Sequence, residues 1–125
     1  MTFTIAQLID STENWLIKGE LDPSILADHF QFISPFWKCS NRTEFIDKFK
    51  NTANYKEKSL SKIIKFDPVI KCISPDLKHF SIIVQYYSKN GSRIYEALLG
   101  TVVAGLLVEL RSIYDLAATK KALEL

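Results

Sequence analysis

Three tyrosines, an arginine and an aspartate in the second half of the chain are the side chains best suited to act together. Tyr86, Tyr95 and Tyr114 offer phenols that donate hydrogen bonds, Arg93 a permanent cation, and Asp115 a carboxylate able to take up or release a proton. Asn90-Gly91 and Ala104-Gly105 separate alternating apolar runs, where two-residue hairpin turns are expected. Regular turns of that kind set Tyr86 opposite Tyr95 and Tyr95 opposite Tyr114, one row across three strands. Such a row can wall a pocket beneath a helical cover, or fill a core edge with its hydroxyls in water. The same register sends Asp115 to the opposite face, and a single β-bulge would bring it back.

The remaining candidates stand apart. His29, where a short helix meets an extended segment, can act as a general base near neutrality. Trp15 on an amphipathic helix and Trp37 beside the Ser34-Pro35 turn could both line the mouth of a cone and bind a ligand there; core packing is the default for Trp15, and Trp37 is the better placed of the two to meet a ligand or partner. His29 and His79 lack the cysteine or carboxylate spacing of a metal site, so no metal is expected and no cofactor is implied. Without a GxSxG elbow or a glycine-rich phosphate loop, covalent serine chemistry and nucleotide binding have no support.

Composition narrows the class. With 125 residues, 47% hydrophobic and 24% charged, the chain has the size and apolar content of one domain, and residues 1–125 are expected to form it. A net charge of +2 supplies no field to draw nucleic acid or an acidic membrane. Seven lysines between Lys48 and Lys71, with no arginine among them, are expected on a solvated face, phosphate contact being the weaker alternative. The apolar run from Ala97 to Val108 is broken by Gly100, Thr101 and Gly105 and falls short of the ~20 residues that cross a bilayer. Cys39 and Cys72 lack CxxC spacing and are expected as reduced, buried thiols. With no basic and apolar leader at the N-terminus, the expected localisation is cytoplasmic.

Period and punctuation then supply the elements. Ile5, Leu8, Ile9, Thr12, Trp15 and Leu16 predict a first helix ending near Lys18-Gly19. Asp22-Pro23 predicts a short second helix through about His29, followed by an extended Phe30–Ser34 that stops at Pro35. The capping-box spacing of Asn41 and Glu44 opens a third helix burying Phe45, Ile46 and Phe49, and Lys50 to Ser59 is expected as a linker. From Leu60 the period becomes strand-like. Four strands fit: Leu60–Ile73 kinked at Asp67-Pro68, His79–Tyr87, Arg93–Val103 and Leu106–Tyr114. Helices first and a meander afterwards predict an α+β fold with helices on one face of an antiparallel sheet. The inner face should carry Phe80, Ile82, Val84, Tyr86, Arg93, Tyr95, Ala97, Leu99 and Tyr114. The outer face should carry Ile83, Gln85, Glu96, Leu98, Leu107, Glu109, Arg111 and Ile113, a mixture suited to pairing two subunits as a homodimer.

This order of elements, with Phe32-Ile33-Ser34-Pro35 before an Arg42-Thr43-Glu44-Phe45-Ile46 helix, resembles the nuclear transport factor 2-like superfamily across nearly the whole chain. The closing Arg111-Ser112-Ile113-Tyr114-Asp115 is similar to the Arg-x-Tyr-Phe-Asp ending of SnoaL-like members. The resemblance implies a cone-shaped, cystatin-like fold with helices packed on the concave face of a curved antiparallel sheet, enclosing a pocket for a small apolar molecule. It further implies acid–base chemistry of the isomerase, cyclase or hydrolase kind, or a noncatalytic binding or interaction module. In the limonene epoxide hydrolases of this superfamily the closing aspartate works with an Arg-x-Asp pair. Asp115 matches that aspartate and Arg93 the arginine, but Tyr95 stands where the second acid would be. Ketosteroid isomerases share the fold, without a residue-by-residue match here.

Overall fold

In the computed structural model, which describes residues 2–51 and 60–125, the chain begins with helix α1, Ile5–Lys18. Thr4 opens it: its hydroxyl accepts from the Gln7 amide and the Gln7 side chain accepts from the Thr4 amide, satisfying two donors that the helix leaves over. The stripe predicted for it is the buried one, Leu8, Ile9, Thr12, Trp15 and Leu16, and the helix stops at Gly19. Asp22 caps the next element, which is only a single 3-10 turn, Pro23–Ile25, before strand β1, Leu26–Ile33. The short helix expected through His29 is therefore corrected. The cap is real, yet Leu26 onward gains a strand partner in the sheet, and pairing overrides local helical preference. A tight turn held by Ser34, whose hydroxyl accepts from the Trp37 amide at 2.9 Å, leads into the short strand β2, Lys38–Cys39. Helix α2, Arg42–Asn51, starts as expected at Asn41, whose side chain accepts from the Glu44 amide at 2.8 Å. Its last two residues fall in the segment expected as a linker; the rest of that segment, 52–59, lies outside the described residues.

Four long strands follow: β3, Ile63–Ile73; β4, His79–Ser88; β5, Arg93–Val103; and β6, Leu106–Tyr114. A closing helix α3, Leu116–Leu123, comes after them, where the sequence pattern predicts none. The six strands form one sheet in the order β2-β1-β6-β5-β4-β3. Every neighbouring pair is antiparallel except β1 and β6, which run parallel. Register shifts interrupt the β1–β6, β3–β4 and β5–β6 ladders, one of the two on β3 lying at Asp67-Pro68 where the proline has no N–H to give. Such bulges bend strands and curve the sheet around the helices. The core they enclose draws Leu8, Trp15 and Leu16 from α1, Phe30 and Phe32 from β1, Phe45 from α2, the inner rows of β4–β6, and Ala122 and Leu123 from α3.

The first hairpin departs from expectation by one residue, and that residue decides the site. Ser88 pairs with Ser92, its amide donating to the Ser92 carbonyl at 2.9 Å, so Lys89-Asn90-Gly91 form a three-residue loop. Gly91 takes the left-handed conformation, φ 88°, that such loops require. Tyr87 then faces Arg93, and Tyr86 faces Ile94 rather than Tyr95. Because side chains alternate with period two, every β5 residue changes face. Arg93, Tyr95, Ala97 and Leu99 point outward, and Glu96 and Leu98, assigned to the outer face, point inward. The second turn, Ala104-Gly105, has two residues as expected, both at positive φ, but a bulge between Thr101 and Val102 shifts the ladder again. The two departures cancel on β6, so Ser112 and Tyr114 keep the inner face while Leu107 moves into the core.

Candidate functional site

The inner face and the helices enclose a cavity of about 100 Å³ that opens toward the Ser34–Trp37 turn. Its walls are mostly aromatic: Trp15 of α1, Phe32 of β1, Phe36 and Trp37 of the turn, and Phe49 of α2. The rings interlock, with Trp15 edge-on to Phe32 at 5.7 Å and to Phe49 at 5.2 Å, and Phe36 stacked on Trp37 at 5.7 Å. At the rim Lys48 stands over the Trp37 ring at 4.2 Å and Lys120 over Phe36 at 5.2 Å. The polar groups come from three strands and the last helix: Tyr86, Glu96, Ser112, Tyr114 and Thr119. Glu96 is the only acid among the described lining residues. It lies directly opposite Tyr114, and Ser112 directly opposite Leu98, so carboxyl and phenol are cross-strand neighbours on one face. Tyr86 is buried and packs its ring on Phe66 at 5.5 Å.

Four of the sequence candidates meet here and four do not. Trp15, Trp37, Tyr86 and Tyr114 line the cavity. Tyr95 is 61% exposed on the outer face, where its hydroxyl and Tyr87 raise the affinity of the neighbouring Arg93 guanidinium for its proton. The row of three phenols is thereby corrected to a pair, since the three-residue loop turned β5 over. His29 is exposed on β1, away from the cavity. Asp115 is not among the cavity-lining residues, and its carboxylate caps α3, accepting from the Ala118 amide at 2.9 Å. Glu96 was missed because its face followed from the wrong loop length, and Thr119 because Leu116–Leu123 gives only a short apolar stripe. Cys39 is buried, which pushes its thiol upward, whereas Cys72 is exposed in place of the expected burial. Four lysines of the basic run have local partners, Lys62 with Glu124 at 2.6 Å and Lys71 with Glu13 at 2.9 Å, Lys65 with the Tyr87 ring and Lys48 with Trp37. Among the described residues no three of His, Cys, Asp and Glu gather as metal ligands. No described helix is long and apolar enough to cross a membrane.

The helix-covered, bulged sheet is a fold that this chain shares with solved structures of NTF2-like proteins. Among solved structures it is similar to a proposed polyketide cyclase of Xanthomonas campestris pv. campestris, with a TM-score of 0.68, 11% identity and coverage of 95% of this chain and 96% of that one. It is similar also to an NTF2-like protein of unknown function from Cytophaga hutchinsonii, with a TM-score of 0.61, 14% identity and coverage of 92% and 93%. A third is a proposed SnoaL-like polyketide cyclase from Jannaschia sp. CCS1, with a TM-score of 0.59, 12% identity and coverage of 94% and 92%. Identities this low establish shared architecture and leave activity to the site. No protein-family model and no curated protein matches the sequence.

Proposed function

We propose that the chain binds a small, largely apolar molecule in the concave cavity and moves a proton on it, with Glu96 as acid–base group and Tyr114 as hydrogen-bond donor. The observation that carries this reading is the pairing of one carboxyl with one phenol, opposite each other on the floor of an aromatic cavity. A carboxylate in that position can take a proton from carbon next to a carbonyl while the phenol hydrogen-bonds the oxygen that gains charge; the resulting carboxylic acid returns the proton elsewhere. Isomerases and cyclases need that step, in keeping with the cyclase descriptions of two structural neighbours. Size constrains the ligand. On a scale where about 150 Å³ holds benzene, a cavity of about 100 Å³ admits the reacting end of a molecule, with the remainder on the Phe36–Trp37 rim. Cyclopentanone in D2O gives a direct test: the protein should speed exchange of its α-hydrogens above the buffer rate, and Glu96→Gln should remove that acceleration. Exchange at the buffer rate with wild-type protein would overturn the proton-transfer reading.

A second reading, homodimerisation through the outer face, is favoured by Ile83, Leu99 and Ile113, which stand exposed there. Leu99 also lines a groove of about 450 Å³ with Cys72, His79, Ser81, Thr101 and Arg111. It is larger than the inner cavity but shallow, and Arg111 is already within 3.4 Å of Glu109, which suits a second protein surface better than a small molecule. Sedimentation at micromolar concentration should show a dimer that Leu99→Lys splits; a wild-type monomer would refute it.

A further inference from the structure

Lysines in this chain settle in two ways. Lys62 and Lys71 lie 2.6 and 2.9 Å from the Glu124 and Glu13 carboxylates, as ordinary surface ion pairs. Lys48 and Lys120 lie instead over rings, 4.2 Å from the centre of Trp37 and 5.2 Å from that of Phe36. Those two rings stack on each other at 5.7 Å and line the cavity where it opens, so ammonium groups from two different helices, α2 and α3, converge on one rim. The carboxylate one helical turn from each is engaged elsewhere: Glu44 accepts from the Ser40 amide at 3.3 Å, and Glu124 pairs with Lys62. A ring takes up one side of an ammonium and cancels none of its charge, which leaves two positive charges at an apolar mouth. The acid among the described lining residues, Glu96, is on the floor instead, opposite Tyr114.

We infer that the cavity takes an organic acid, whose apolar body enters among the aromatic rings and whose carboxylate stays at the mouth beside Lys48 and Lys120, the residues that select for it. The inference rests on the cavity being a binding site and adds the charge of the ligand and the way round it lies. The reverse orientation would bring the carboxylate against the Glu96 carboxyl and bury it among aromatic walls, and both are unfavourable. A cavity of about 100 Å³ holds only part of such a molecule, which keeps the charged end outside, within reach of water and the lysines.

The test titrates (3-oxocyclopentyl)acetate and the neutral amide of the same acid, alike in shape and different in charge, by NMR of the Leu98 and Leu123 methyl groups at neutral pH and low salt. Wild-type protein should bind the acid about fivefold more tightly than the amide, and added salt should shrink that margin. The double variant Lys48→Gln/Lys120→Gln should lose the preference and still bind the amide. Lys121→Gln, which removes a charge from the same helix at a residue with no contact to the rim rings, should keep it. Equal binding of the two probes by wild type, a preference that survives in the double variant, or one lost equally in Lys121→Gln overturns the inference and leaves the cavity as a binding site. Binding of neither probe overturns the cavity reading itself, and the inference with it.

Discussion

The two faces of the β4–β6 sheet draw on the same stock of aliphatic and aromatic residues and put it to opposite use. Inside, Ile82, Val84, Leu98 and Leu110 are buried against the helices and surround one carboxyl and two phenols. Outside, Ile83, Leu99 and Ile113 stand in solvent among Arg93, Glu109 and Arg111. Nothing in residue type separates Leu98 from Leu99 or Tyr114 from Tyr95. Parity along the strand does, and parity is set by loop length and bulges rather than by the strand itself. A carboxyl such as Glu96 reaches the cavity only through being on the inner side of the sheet.

The sharpest way to break this contrast is to truncate adjacent leucines. Leu98, 1% exposed, should cost about 2–5 kcal/mol as Leu98→Ala through lost burial and a cavity. Leu99, 39% exposed, should cost no more than about 0.5 kcal/mol in a monomer as Leu99→Ala. Urea unfolding of the two variants measures both, and equal losses would contradict the assigned faces. Next in size is Gly100→Ala: Gly100 lies opposite Phe80, and a methyl there would overlap the Phe80 ring. Overpacking of that kind should cost about 1–3 kcal/mol.

Smaller effects sharpen the assignment of roles. Asp115→Ala should cost about 1 kcal/mol by uncapping α3, whereas Asp115→Asn, still able to cap, should keep stability and cyclopentanone exchange near wild type. An Asn variant that folds but loses exchange would return Asp115 to the chemistry. Smallest is the pH dependence of α3. Glu124 is held below the ordinary carboxylate range by its hydrogen bond to Lys62 and then by the lysine's charge. The depressed folded value means the contribution is present above the unfolded value of about 4.3 and is lost as pH falls through the folded one. Both partners are exposed, so the difference in melting temperature between wild type and Glu124→Gln should be slight at pH 6 and shrink as the pH is lowered through the carboxylate range.

Local chemistry made much of the architecture readable. Thr4 to Leu16 and Asn41 to Phe49 carry caps and periodic apolar stripes that made both helices readable, and β4, β5 and β6 lie between turn signals, so the bounds of these strands came through within a residue. Elements that depend on distant partners did not. Leu26–His29 joins β1 because β6 is there to pair with it, and α3 buries Ala122 and Leu123 in a core built from the rest of the chain. The site suffered most, since Asn90-Gly91 fits a two-residue turn as well as the last two positions of a three-residue loop. That one-residue ambiguity exchanged Tyr95 for Glu96; of the residues singled out from the sequence, Trp15, Trp37, Tyr86 and Tyr114, none of them on β5, line the cavity.

Intermolecular NOEs between cyclopentanone and methyl-labelled protein test the working face most directly, because neighbouring residues report opposite sides. Contacts to Leu16, Leu98 and Leu123, with none to Leu99 or Ile113, are the expected result. Contacts to Leu99 and Ile113 without Leu98 would move the binding site to the outer face and take Glu96, Tyr114 and Thr119 out of it.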